Sequence, residues 1–157
     1  MERNPKYPMV IKFFFSVLKD TITKILQKVI INNLTENENR EICDLISKIS
    51  PYIRFVGVIS KTGELLSHFR RENITPLLDQ KRTRYQFAQI AIKTELEEQF
   101  DDQLGDTEFV WEERTKIQTI AFAISSKRIW ITIEKNVIRS EMLRIIDSCL
   151  PIVKRYS

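Results

Sequence analysis

From Thr21 to Leu34 the apolar residues Ile22, Ile25, Leu26, Val29 and Ile30 recur at the three- and four-residue spacing of one helix face, with Lys24, Gln27 and Lys28 opposite them. The same helix is predicted to begin near Phe13, where Phe13, Phe14 and Phe15 spread apolar surface beyond a single face. Thr35-Glu36-Asn37-Glu38 fits a capping box, in which the threonine hydroxyl accepts from a backbone amide while Glu38 reaches back. A second helix is therefore expected to start there, with Ile42, Leu45, Ile46 and Ile49 as its buried stripe and Ser50-Pro51 as its end. Tyr52 to Arg71, YIRFVGVISKTGELLSHFRR, then reads as a strand, a tight turn at Lys61-Thr62-Gly63 and a second strand.

Asn73 to Asp79 is a loop containing Pro76, and Gln80 to Leu104 runs without a breaker until Gly105, which predicts the longest helix of the chain. Tyr85, Ala88, Ile92, Leu96, Phe100 and Leu104 share one face, and Phe87, Ile90 and Ala91 widen it toward a second contact. Thr107 to Arg114 alternates as a strand with Phe109 and Trp111 on one side. Ile117 to Ser125 places Ile120, Phe122 and Ile124 opposite Ala121 and Ala123, small residues against which a helix is expected to pack. After a turn at Ser126-Lys127, Arg128 to Glu134 sets Ile129, Ile131 and Ile133 against Trp130 and Thr132. Asn136 is expected to cap a last helix carrying Ile138, Met142, Ile145, Cys149 and Val153, kinked or ended at Pro151. The break at Leu34 to Asn37 divides residues 1–34, an amphipathic helical extension, from a main domain over 35–157.

Composition leaves this picture intact: 157 residues, 43% hydrophobic and 29% charged with 3 Gly, suit one ordered domain with an appended helix. The net charge of +4, from 25 basic against 21 acidic residues, favours acidic partners only weakly, so a binding face would require segregated charge. Segregation does occur on the long helix, and against the macrodipole. Lys81, Arg82 and Arg84 stand at its positive end, while Glu95, Glu97, Glu98, Asp101 and Asp102 stand toward its negative end. Each misplaced exposed charge costs about a few tenths of a kcal/mol. An antiparallel copy of the helix would set basic ends beside acidic ends; an ordinary solvated face is the alternative.

Met9 to Leu18 is apolar after basic residues, but Lys12 interrupts it, Lys19 and Asp20 close it, and no small-residue cleavage site follows. Neither a signal peptide nor a span of roughly 20 apolar residues fits, and a cytoplasmic location is expected. The phenylalanine trio is expected to pack on the core or on a second subunit, with membrane-surface contact by the N-terminal helix as the sharper alternative. Cys43 and Cys149 read as buried small hydrophobes.

Three stretches carry a family resemblance: the FVGVISKTGELLSHF hairpin, the long middle helix, and the strand pair IQTIAFAIS and RIWITIE. Over roughly 35–157 the chain resembles the roadblock and longin group of profilin-like domains. The phrase IRFVGVI followed by a Gly-Glu-Leu turn is similar to a set of small uncharacterised archaeal proteins of that group. The resemblance implies an α+β fold: a five-stranded antiparallel sheet in the order 2-1-5-4-3, a long central helix on one face and the terminal helices on the other. It further implies a non-enzymatic adaptor that pairs with itself or binds a small GTPase or other protein, without a cofactor. Pairing in the group runs through the middle helix and third strand, which points to Tyr85, Gln89, Ile92, Leu96, Phe109 and Trp111 as a homodimer interface. The N-terminal helix is longer than the group pattern.

Chemistry has few candidates. His68 is the only histidine and no CxxC or HxxxH spacing occurs, so a nucleophile would find one base at most and a metal too few ligands. Glu97 with Asp101 and Glu98 with Asp102 sit a helical turn apart, an arrangement that holds a divalent cation less often than it forms a solvated acidic face. No phosphate-cradling glycine motif is present. Two non-adaptor readings stay open. A PAS- or GAF-like sensor would hold a small molecule in a pocket lined by residues such as Tyr85, Trp111 and Trp130. A nucleic-acid-binding protein, the weaker of the two, would use a basic patch of Arg70, Arg71, Lys81, Arg82 and Arg84, joined by Lys127, Arg128 and Trp130. Its winged-helix form fails to account for the three later strands.

Overall fold

Alternation along the last strand explains the architecture. In the computed structural model, which describes residues 7–157, β5 (Lys127–Glu134) lies at the centre of one antiparallel sheet ordered β2-β1-β5-β4-β3. Its neighbours are β1 (Ile53–Ser60) and β4 (Ile117–Ile124); β2 (Leu65–Arg70) and β3 (Phe109–Glu113) are the edges. The register sets Val56 and Ile120 on either side of Ile131. Residues of one parity, Ile129, Ile131 and Ile133, turn to one face, where they meet Ile42 and Ile46 of helix α1 (Tyr7–Ser47) and Met142, Ile145 and Cys149 of helix α4 (Arg139–Arg155). Trp130, of the other parity, turns to the opposite face and meets Phe55, Ile59 and Phe87, the last from helix α2 (Gln80–Glu98). The expected α+β fold is the observed one, with the middle helix on one face and the terminal helices on the other. Ala121 packs in the α2-side cluster, as its small size anticipated.

The hairpin turn is built by one side chain and one glycine. Ser60 Oγ accepts from the amides of Thr62 at 3.3 Å and Glu64 at 3.0 Å, and the Gly63 amide donates to the Ser60 carbonyl at 3.0 Å. Gly63 has φ +82°, and a Cβ there would lie 2.8 Å from Ala88 Cα, so the turn seats directly on the α2 backbone. Only glycine supplies both the left-handed conformation and the clearance.

Three expectations about helices need correction. No break separates Leu34 from Asn37: α1 is continuous, and Thr35 Oγ1 donates back to the Ile31 carbonyl at 2.8 Å instead of accepting as a cap. Without Pro or Gly at this point, extending the helix already formed outweighs the cost of breaking and renucleating it. The middle helix ends at Glu98, so that with 19 residues against the 41 of α1 it is not the longest, and the remaining turn, α3 (Asp101–Leu104), restarts after Phe100. The last helix begins at Arg139 with Ile138 at its cap and no capping side chain, so Asn136 precedes it in a turn. Pro151 lies inside α4, on an exposed position; it removes one backbone donor, while Cys149 and Val153 on either side stay buried and hold the helix to Arg155.

By contacts the chain forms two units that divide between Asn37 and Glu38. In the described part of the first, helical throughout, Phe13, Phe14, Phe15 and the stripe from Ile22 to Ile30 are exposed. The expected extension begins at residue 1, and its residues 1–6 lie outside the described ones. No described helix is long and apolar enough to cross a membrane. Cys43 and Cys149 are buried free thiols; burial pushes both up, Cys149 to about 12.

Candidate interaction surface

α2 carries two apolar stripes, and each has a different environment. Asp79 begins the helix, its carboxylate accepting from the Arg82 amide at 2.8 Å. Phe87 and Ala91 form the inner stripe, buried on the sheet, with Phe87 edge-on to Trp130 at 5.8 Å between ring centroids. The outer stripe is Tyr85, Ile92 and Leu96, 65%, 59% and 55% exposed, continued by Phe100 and Leu104 at 58% and 81%. Gln89, between them, is also exposed. A run of large apolar side chains left in water along one helix face is a feature of surfaces that meet a partner.

The six residues expected to form an interface fall on two surfaces. Tyr85, Gln89, Ile92 and Leu96 share the outer face of α2, whereas Phe109 and Trp111 point from β3 into the core on the far side of the sheet. Phe109 packs on Phe122 with centroids 6.1 Å apart, and Trp111 Nε1 donates to Gln118 Oε1 at 3.1 Å. Alternation predicts that these two aromatics share a side; packing decided that the side is the α1–α4 side. Both anchor β3, whose outer edge pairs with no other strand among the described residues.

Ion pairs tie the acidic end of α2 to the sheet. Lys93 Nζ lies 2.9 Å from Glu112 on β3, and that hydrogen bond holds the Glu112 carboxyl below its ordinary range. Glu98 binds the buried Arg128 guanidinium and lies 3.5 Å from Lys61 Nζ; the Arg128 hydrogen bond is the main cause of its lowered pKa. Part of the unfavourable helix charge is thus compensated within the chain, by groups far away in sequence. Arg84, Glu95 and Asp102 remain exposed on the helix and its extension.

The expected basic patch is dispersed among local partners. Arg71 pairs with Glu134 and donates to the Pro51 carbonyl, Arg82 lies 3.6 Å from Asp79, and Lys81 sits 5.9 Å above the Tyr85 ring. Arg70 lies 5.1 Å over the Phe55 ring. Among the described residues no group of three or more His, Cys, Asp or Glu is placed to hold a metal ion, and His68 stacks on Phe55 at 5.9 Å.

A cavity of about 190 Å³ opens on the inner side of α2, beneath the loop that follows β2. Trp130 lines it, as a sensor reading expected, but Tyr85 faces outward and Trp111 lies across the sheet. The sequence gives no direct sign that Arg54 and Arg114 share its walls, because they come from separate elements; the apolar residues Ile74, Pro76, Leu77 and Leu78 in the loop were the one available signal.

With the geometry established, relatives can be placed beside it. Residues 29–151 match the sequence model of a family of unknown function, DUF6659. A search of curated proteins gives no match. Among solved structures, the chain is similar to a roadblock/LC7 domain from Streptomyces avermitilis, 13% identical with a TM-score of 0.54 over 73% of this chain and 90% of that one. It is similar to Myxococcus xanthus MglB, 17% identical with a TM-score of 0.54 over 76% and 94%. Schizosaccharomyces pombe profilin is 9% identical, with a TM-score of 0.52 over 74% and 97%. At these identities the likeness establishes the roadblock and profilin-like fold and nothing finer.

Proposed function

Starting from a chain that belongs to the family of unknown function DUF6659 and carries a roadblock-like fold, we propose a non-enzymatic interaction module that forms a homodimer through the outer face of α2 and the open edge of β3. The exposed stripe of Tyr85, Ile92 and Leu96, extended by Phe100 and Leu104, carries this reading. Each such side chain contributes about 1.5–3 kcal/mol when fully buried. A helix of 19 residues is about 28 Å long, enough to form the centre of an interface of ordinary size. Antiparallel packing brings Lys81 and Arg84 of one copy near Glu95 and Asp102 of the other, which relieves the charges still unfavourable to each helix. Gln89 lies within the stripe, and Phe109 and Trp111 enter the proposal by anchoring the edge strand.

Sedimentation equilibrium tests it. The protein is expected to be a dimer at micromolar concentration, and Ile92→Asp with Leu96→Asp to give a monomer with an unchanged far-UV spectrum. A wild-type monomer at that concentration sinks the proposal. The roadblock-like fold supports a small GTPase as the heterologous partner class, recognised by the assembled dimer. Recovery of a GTP-binding protein by affinity purification on the wild type, and its loss on the monomeric variant, is the expected outcome.

A further inference from the structure

We propose that the cavity under the N-terminal half of α2 is a binding site for a small organic carboxylate with an apolar body. Its walls combine two properties that seldom coincide by chance. Phe55, Phe87 and Trp130 make one apolar side and Leu77 of the roofing loop another. The floor is the directly paired Thr119 and Thr132, both buried. Arg54, Arg70 and Arg114 supply the charge, and among the described residues no aspartate or glutamate lines the space.

The three arginines have different commitments. Arg54 is 3.1 Å from Glu134 and donates to the Thr75 carbonyl at 3.3 Å, which holds the roofing loop in place. Arg114 is shared with Glu112 at 3.4 Å. Arg70 stacks on Phe55 and, among the described residues, forms no ion pair, so its planar fork is available to a carboxylate at the mouth of the cavity. Thr119 and Thr132 offer hydroxyls that orient a polar edge without contributing charge.

Size and lining select the ligand class. A space of about 190 Å³ is slightly larger than the ~150 Å³ cavity known to admit benzene. An aromatic ring or short branched chain fits, with its carboxylate directed to Arg70 and Arg114. A nucleotide is too large, and a bare inorganic anion would leave the aromatic wall without a partner. This site does not rest on self-association, because it lies on the inner side of α2 and the proposed interface on the outer side.

Calorimetric titration of the full chain with benzoate is the test, with benzamide as the neutral isostere and inorganic phosphate as the anion lacking a body. Benzoate is expected to bind saturably, and the two controls about tenfold or more weakly. Arg70→Gln is expected to weaken benzoate about tenfold or more, while the ligand-free protein still melts cooperatively, lowered only by loss of the Phe55 stacking contact. Leu77→Trp, which fills the space from an exposed loop position, is expected to abolish binding. No saturable benzoate binding, equal binding of either control, or benzoate affinity unchanged in Arg70→Gln overturns the proposal.

Discussion

Arg128 is a charged side chain only 7% exposed, and its solvation is replaced by Glu98 and by the Lys127 carbonyl at 2.8 Å. Glu98→Gln removes the anion and leaves a buried guanidinium with a weaker acceptor. Because Glu98 itself is partly in water, the expected loss is about 1 kcal/mol at neutral pH, below the usual range for a hydrogen bond to a charged group. The pH dependence has a definite sign. The folded carboxyl titrates below its unfolded range, chiefly through the Arg128 hydrogen bond, so its contribution is complete above about pH 5 and disappears as pH falls through the lowered folded value. Urea denaturation of wild type and variant should therefore differ at pH 7 and converge in acid; a gap constant with pH assigns the effect elsewhere. None of this was legible in the sequence, where Glu98 reads as one of several solvated acids. Its partner lies thirty positions away, beyond the reach of any helical spacing.

Among the elements, α2 and the β1–β2 hairpin are coupled at a single glycine. Gly63→Ala imposes a left-handed φ on a residue with a Cβ, about 1–2 kcal/mol. It also drives that Cβ to 2.8 Å from Ala88 Cα and 3.0 Å from the Phe87 carbonyl oxygen, backbone atoms that move only with the helix. Chemical denaturation is expected to show Gly63→Ala losing more than the left-handed φ costs by itself, by a further ~1 kcal/mol or more, in the range of overpacking. A loss confined to about 1–2 kcal/mol would mean that the hairpin does not rest on α2. The turn itself was evident from Lys61-Thr62-Gly63. The contact was not, because turn chemistry is local and the helix that meets it begins seventeen positions later. Local signals also misled at Thr35, whose capping-box pattern was overridden by uninterrupted helix on both sides.

For the whole molecule, both hydrophobic clusters are made from residues 38–157. A fragment beginning at Glu38 is expected to melt in one cooperative transition, followed by circular dichroism. It is also expected to keep the dimeric state of the full chain, since Ile92 and Leu96 belong to it. A fragment that folds but sediments as a monomer, beside a dimeric full chain, would transfer the assembly to the exposed apolar helix before Asn37 and remove the α2 interface.

The order of the strands with α2 and α4, the parity of the three later strands and the two apolar stripes of α2 follow from the sequence alone, because periods of 2 and 3.6 residues are properties of consecutive positions. The resemblance drawn from the hairpin, the middle helix and the later strand pair led to the sheet order as well. Which stripe of α2 meets the sheet, which side Phe109 and Trp111 take, and which basic residues gather around the cavity were decided only by the tertiary structure. Periodicity assigns residues to faces. It does not say what each face will meet, since that depends on volume, on the close approach allowed at Gly63, and on charges brought together from distant parts of the chain.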